Sequence, residues 1–300
     1  MSSSVPLFRK NLAAIGLCVF GWTAFSLTDT ASKWLSQDYP VSEVIALVSI
    51  PTLLISALWI IAAHGMRGFI TPHFKWHMVR GFCVAATAFC VVHSLALIPL
   101  ADFYGINFLA PLLVSLLSHL LLKEKIGWHR LSAICIGFGG VIILAGPQFN
   151  TYNTGILYAF GCVLFVCANS LILRKMSGEK ILPLFALYPA LWNIALNAPL
   201  MIPGFKMPEA ADLLLFLAVG PLLLAALMTC SMGISRASET AVVMPFNYIQ
   251  MIWGVLFGYI LFHDAPNATT MAGAAIIIGS GLYVIWREHR IHRLGLSAVS

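Results

Sequence analysis

Apolar runs of about bilayer-spanning length follow one another almost without pause from residue 11 to residue 287. A helix crossing the hydrocarbon core needs about 20 mostly apolar residues. Ten runs approach or meet that length: 11–32, 43–63, 77–97, 101–122, 129–146, 154–173, 183–202, 212–233, 239–262 and 269–287. Only 9% of the residues are charged, against roughly 25% in a soluble domain. The chain is therefore expected to be an all-α integral membrane protein with the lipid bilayer as its main partner. Its first run is too long for a cleaved leader and lacks a small-residue cleavage site, so it is expected to stay as a span.

The basic residues order these runs. With the amino terminus placed inside, 15 of the 17 Lys and Arg fall in inside segments, and only Lys33 and Lys206 fall outside. A missed or invented span would break this alternation midway. The expected topology is ten transmembrane helices in a cell inner membrane, with a cytoplasmic tail at 1–10 and another at 288–300.

The chain also repeats itself. A shift of 140 residues lays 101–142 on 241–282 without a gap: Ala101 meets Ala241, Asn107 meets Asn247, Glu124 meets Asp264 and Gly139 meets Gly279. Both stretches share one plan, a long apolar run, an acid, a short turn and a Gly- and Ile-rich run. The halves implied are 11–145 and 153–287, with five spans each. Five is odd, so the second half enters the membrane from the opposite side. The expectation is two inverted five-helix repeats, a construction that places a site near the bilayer midplane between the halves.

Polar groups at that depth face protein or a water-filled space. Asn107 sits ~9 Å into its span and Asn247 ~12 Å into its own, from opposite sides. Tyr248 and Gln250 accompany Asn247, and with Asn107 these are the first candidates for substrate contact. Asn169, Tyr188, Trp192 and Asn193 are added as further amphipathic lining, with Trp22 and Trp253 as candidate walls. Asp29 is the one carboxylate well inside a span, and Lys33 follows it by one helical turn, the spacing of a local ion pair. Asp29, Lys33 and the titratable His93 are the candidates for coupling.

Several classes are excluded. No His/Cys/acid cluster has metal-ligand spacing, and no nucleotide or hydrolase motif occurs, so no cofactor, metal or catalytic residue is expected. All seven cysteines lie in apolar runs as small packing residues. The net charge of +6 is spread over short loops with no basic, aromatic-interleaved run for nucleic acid. Pro51, Pro111, Pro189, Pro221 and Pro245 lie inside spans, where each removes a backbone donor. The Gly254–Gly258 pair and the glycines 137, 139, 140, 279 and 281 mark close helix approach.

Against this background the chain resembles the drug/metabolite transporter superfamily, EamA type. The stretches that carry the resemblance are Ile98-Pro99-Leu100-Ala101-Asp102, Leu122-Lys123-Glu124-Lys125 and Phe262-His263-Asp264. Asp29-Thr30-Ala31-Ser32-Lys33-Trp34 and Pro245-Phe246-Asn247-Tyr248-Ile249-Gln250 are similar to patterns of its S-adenosylmethionine-uptake-like branch. Relatives often carry Arg and Glu where this chain has Asn247 and Gln250, and Arg where it has Leu47 to Ile50. The resemblance implies a secondary transporter, independent of ATP. Its cargo would be a small organic metabolite, amino-acid-like or nucleoside- or amine-related, moved by alternating access with a proton or counter-solute. The neutral Asn247 and Gln250 imply a neutral or zwitterionic cargo held by amides and aromatics. A membrane-embedded lipid-modifying or transferase enzyme and a non-transporting scaffold are the alternatives.

Overall fold

A computed structural model describes residues 4–122, 128–145, 153–176, 181–236 and 243–293. All regular structure in the described residues is helical: α1 (Ser4–Leu35), α2 (Val41–His64), α3 (Phe74–Leu97), α4 (Leu100–Asn107), α5 (Ala110–Leu122), α6 (Trp128–Ala145), α7 (Asn153–Lys175), α8 (Leu184–Met201), α9 (Ala210–Arg236), α10 (Ile249–Phe262) and α11 (Ala268–Arg293). Short 3₁₀ turns cover Met66–Phe69, Ile202–Gly204 and Met244–Tyr248.

Six described helices are long and apolar enough to cross a membrane: α1, α2, α3, α7, α8 and α9. The other four expected spans appear as shorter apolar segments, Leu100–Val114, Leu131–Leu144, Phe246–Phe262 and Ala268–Tyr283. Two of these carry interruptions. The fourth span breaks at Phe108–Leu109, between α4 and α5, where Leu109 N–H drops to the carbonyl of Ile106 at 3.0 Å. Pro111 explains the position. It has no N–H to offer the carbonyl of Asn107 four residues earlier. The ninth span opens as the 3₁₀ turn Met244–Tyr248, with Pro245 in its first turn, and continues as α10.

The outer surface of the bundle is apolar, as lipid contact requires. Leu54, Leu58, Ile142, Leu157, Leu214 and Ile252 are all more than half exposed. Inside, several helix pairs approach closely at glycine, alongside large buried side chains such as Phe103, Phe108 and Phe216. A side chain at Gly140 of α6 would strike Ile277 and the carbonyl of Gly273 on α11. One at Gly220 of α9 would strike Pro51 of α2.

The main pairings are α1 with α9, α3 with α7, α2 with α8, α6 with α11, α3 with α8 and α2 with α9. Individual contacts recur under the 140-residue shift. Gly21 lies against Cys230, and Gly161 lies against Cys90. Gly233 lies against Cys18, and the His93 ring lies 4.9 Å from that of Tyr158. Gly137 faces Ser280, and Gly140 faces Ile277. The end of α1 and the start of α7 also share one end of the bundle. Lys33 bonds the carbonyl of Ile98, while Ser94 bonds the carbonyl of Gly155 at 2.9 Å.

Candidate functional site

Four elements converge around Asp29: α1, α4, α7 and α10. On α4, Tyr104 is 1% exposed. Its hydroxyl donates to Asp29 Oδ2 at 2.9 Å. A phenol inside an apolar span needs a partner for its O–H, and the carboxylate supplies it. The Tyr104 ring lies where a side chain at Gly254 of α10 would be, so that glycine is required by the close approach. One turn further along α4, Asn107 closes the helix at the break. Its Oδ1 accepts a weak bond from Cys162 Sγ of α7 at 3.6 Å. Cys162 is also within electrostatic reach of Asp29. Asp29, Tyr104, Cys162 and Asn107 thus form one small polar neighbourhood at the broken span.

The segment leading into α10 adds to it. The Tyr248 ring stands edge-on to Phe108, at the break itself, with centroids 5.0 Å apart. Its hydroxyl occupies the space left by Gly281 of α11. Gln250 is buried on α10. Trp253 donates its indole N–H to Thr23 of α1 at 2.9 Å and stacks on Phe257. Asn247 Oδ1 and Asn169 Oδ1 are buried without a protein hydrogen-bond partner. Such an oxygen costs about 1–3 kcal/mol if nothing meets it, so it marks a place where water or a ligand is expected. The 140-residue shift that pairs Asn107 with Asn247 also pairs Asp29 with Asn169.

The other expected lining residues sit elsewhere. Tyr188, Trp192 and Asn193 belong to α8, which packs on α2 and α3. Tyr188 stacks on His77 with centroids 4.9 Å apart. Trp192 donates to the carbonyl of Met78 at 3.0 Å and meets Phe82 edge-on. Asn193 is 6% exposed, with a buried Oδ1 that has no partner. The expected set therefore divides into a central group and an α8 group. His93 bonds the carbonyl of Phe89 at 2.9 Å through Nδ1 and packs between Phe89 and Tyr158.

Lys33 pairs with Asp264 and not, as its spacing suggests, with Asp29. Lys33 Nζ donates to the carbonyls of Leu95 and Ile98, each at 2.8 Å, and lies 3.7 Å from Asp264 Oδ2. Pro99 provides the cause. The carbonyl of Leu95 would take the N–H of residue 99 in a continuing helix, and proline has none. The ammonium supplies the missing donor, and it also sits over the Phe262 ring at 5.1 Å. Asp264 is delivered by the end of α10. His263 adopts the left-handed conformation at φ 56°, and Asp264 N–H bonds the carbonyl of Gly258 at 2.9 Å, a helix-closing motif. Beside this cluster, Asp102 in the first turn of α4 accepts from Thr270 Oγ1 at 2.6 Å.

Among the described residues no group of His, Cys and acids is arranged to hold a metal. Glu124, the repeat counterpart of Asp264, lies outside the described residues.

A family model described as an EamA-like transporter family matches residues 12–146. This stretch is similar to that family. The chain is 27% identical to a riboflavin transporter of Vibrio cholerae, over 90% of this chain and 92% of that one. It is 23% identical to an S-adenosylmethionine uptake transporter of Rickettsia prowazekii, over 92% and 94% of the two chains. A pseudopaline exporter of Pseudomonas aeruginosa is 26% identical, over 87% and 92%. A solved crystal structure, described only as that of a protein, has the same fold at a TM-score of 0.64, with 20% identity over 93% of this chain and 97% of that one.

Proposed function

We propose that this chain is a secondary transporter of a small organic metabolite, with its binding site at the junction of α1, α4, α7 and α10. The observation that carries the reading is the pair of interrupted spans. Asn107 lies at the break of α4, one turn from the Tyr104 that bonds Asp29, and Asn247 lies in the 3₁₀ turn before α10, next to the Tyr248 that meets Phe108 at that break. Broken helices at membrane depth are tolerated where the backbone is buried in protein or lines a water-filled space, and transporters use them to build midplane sites. The unpartnered Asn247 and Asn169 oxygens supply acceptors, and Tyr248 and Trp253 supply aromatic surface.

Two inverted five-helix repeats, 11–145 and 153–287, are the frame of this reading. The reciprocal contacts Gly21–Cys230 and Gly161–Cys90 support it, as does the shared bundle end of α1 and α7. Alternating access follows if the halves rock about the site. Asp29 is the coupling group, for a proton or a cationic part of the cargo, since Lys33 is engaged with Asp264. The positive-inside pattern supports an inner-membrane orientation with cytoplasmic termini. The cargo is amphiphilic and neutral or zwitterionic, in keeping with amide and aromatic lining. Relatives named for riboflavin and S-adenosylmethionine make those two molecules the first probes.

The test is counterflow in proteoliposomes holding the purified chain, with riboflavin, S-adenosylmethionine and a panel of amino-acid-like and nucleoside-like metabolites. Saturable exchange of one class supports the reading. Exchange equal to that of empty liposomes across the panel overturns it. With an accepted cargo, Asp29→Asn is expected to remove the dependence on an imposed pH gradient, and retained dependence excludes proton coupling through Asp29.

A further inference from the structure

We propose that Tyr104 is a positioning residue for the Asp29 carboxylate and ties the charge state of that group to the packing of α4 on α10. The inference rests on the reading of Asp29 as the coupling group and adds the element that sets its state. Three observations carry it. Tyr104 Oη donates to Asp29 Oδ2 at 2.9 Å. The Tyr104 ring is seated in the notch left by Gly254, on the other half of the chain. Lys33, the nearest cation along α1, is held by Leu95, Ile98 and Asp264.

The chemistry makes the pair two-state. An ionised carboxylate only accepts hydrogen bonds, so the phenol donates to it. When Asp29 takes a proton, its new O–H becomes a donor. The phenol must then accept instead, or turn its own proton elsewhere. The ring itself stays in the Gly254 notch, where it is 1% exposed, so the change is a turn of the phenolic proton, toward Asp29 when the carboxylate is ionised and toward the neighbouring Ser26 hydroxyl when it is protonated. The seat against α10 fixes Tyr104 Oη at bonding distance from Asp29, so the packing of α4 on α10 sets that hydrogen bond and with it the charge state of the carboxyl group.

Among the described residues, the titratable groups facing Asp29 are few. Tyr104 comes from α4, and the Cys162 thiol comes from α7 with Cys90 of α3 behind it. On α3, His93 is turned onto Phe89 and Tyr158. At the Tyr104 contact, α10 presents Gly254, with the uncharged Trp253 beside it.

The test is pH-titrated infrared difference spectroscopy of the full chain in lipid nanodiscs, which needs no cargo. A titrating carboxyl band is expected in the wild type and absent in Asp29→Asn. In Tyr104→Phe, which keeps the ring in its notch, the same band is expected with a displaced frequency and a midpoint moved by about one pH unit, the size of one hydrogen bond to a charged group. Gly254→Ala, which pushes the ring from its seat, is expected to displace the band as well. Bands that coincide in the wild type, Tyr104→Phe and Gly254→Ala overturn the proposal. Failure of the transport assay with this displacement intact would overturn the transporter reading and leave the pair standing.

Discussion

Lys33 turns away from Asp29, its neighbour one turn back on α1, and lies 3.7 Å from Asp264 at the end of α10. The choice follows from two unmet carbonyls. Leu95 and Ile98 sit where α3 stops and α4 begins, and a single ammonium answers both. The first and last thirds of the chain are thereby joined at one end of the bundle. Asp29 is left to Tyr104.

Lys33→Met is expected to destabilise the protein more than Asp29→Asn. The methionine leaves two buried carbonyls and Asp264 without their donor, at about 1–3 kcal/mol for each buried group. In Asp29→Asn the new amide still offers Tyr104 an oxygen, so its cost is expected below about 1 kcal/mol. Thermal unfolding in detergent, followed by size-exclusion fluorescence, ranks the two. A larger loss for Asp29→Asn would contradict the Lys33–Asp264 assignment.

Asn247→Ala is expected to leave expression and thermal stability nearly unchanged. Its Oδ1 has no protein partner to lose. Counterflow of an accepted cargo should fall about tenfold, the worth of one hydrogen bond to a buried ligand. Unchanged exchange would remove Asn247 from the site.

Trp192→Phe separates the α8 group from the central one. It deletes the indole bond to the Met78 carbonyl, so a stability loss of about 1 kcal/mol is expected. Cargo affinity should hold. An affinity change without a stability change, measured by thermal shift with and without cargo, would return Trp192 to the binding surface.

Gly140→Leu tests the seam between α6 and α11. The backbone carbonyl of Gly273 and the side chain of Ile277 leave no room there. Overpacking of this kind costs about 1–3 kcal/mol or more. The recovered monodisperse fraction after membrane extraction should drop sharply, whereas Gly139→Leu, which meets nothing within 4 Å, should be tolerated.

Much of the framework was legible in the sequence. Apolar run length marks where helices lie, and all ten expected spans have helical counterparts among the described residues. Pro111 and Pro245 mark the two spans that carry interruptions, and Asn107 and Asn247 lie at them. Side-chain partners were not legible in the same way, because hydropathy says how deep a residue lies and not which neighbour it meets. Lys33 illustrates the limit. Spacing along one helix suggested Asp29, whereas the donor deficit created by Pro99 on another helix decided the outcome. Proline four residues after a carbonyl is a readable signal, and it was present in the Ile98-Pro99-Leu100 stretch. Tyr104 carries a readable signal too, since a phenol one turn before Asn107 in an apolar span needs a partner, but nothing in the sequence says that the partner is Asp29. For Tyr188 and Trp192 amphipathicity was the only clue, and it does not separate a cavity wall from a helix seam.

The reciprocal contacts of the bundle have not kept the same chemistry. Cys18 against Gly233 is a seam of small groups, and its counterpart, Tyr158 against His93, is a seam of stacked rings. The first seam admits nothing larger than hydrogen at Gly233, where a side chain would strike Cys18 Sγ and the carbonyl of Ala14. The second is filled by two rings. The shift that relates the two contacts therefore preserves where helices meet and not what they tolerate: bulk is forbidden at one seam and required at the other.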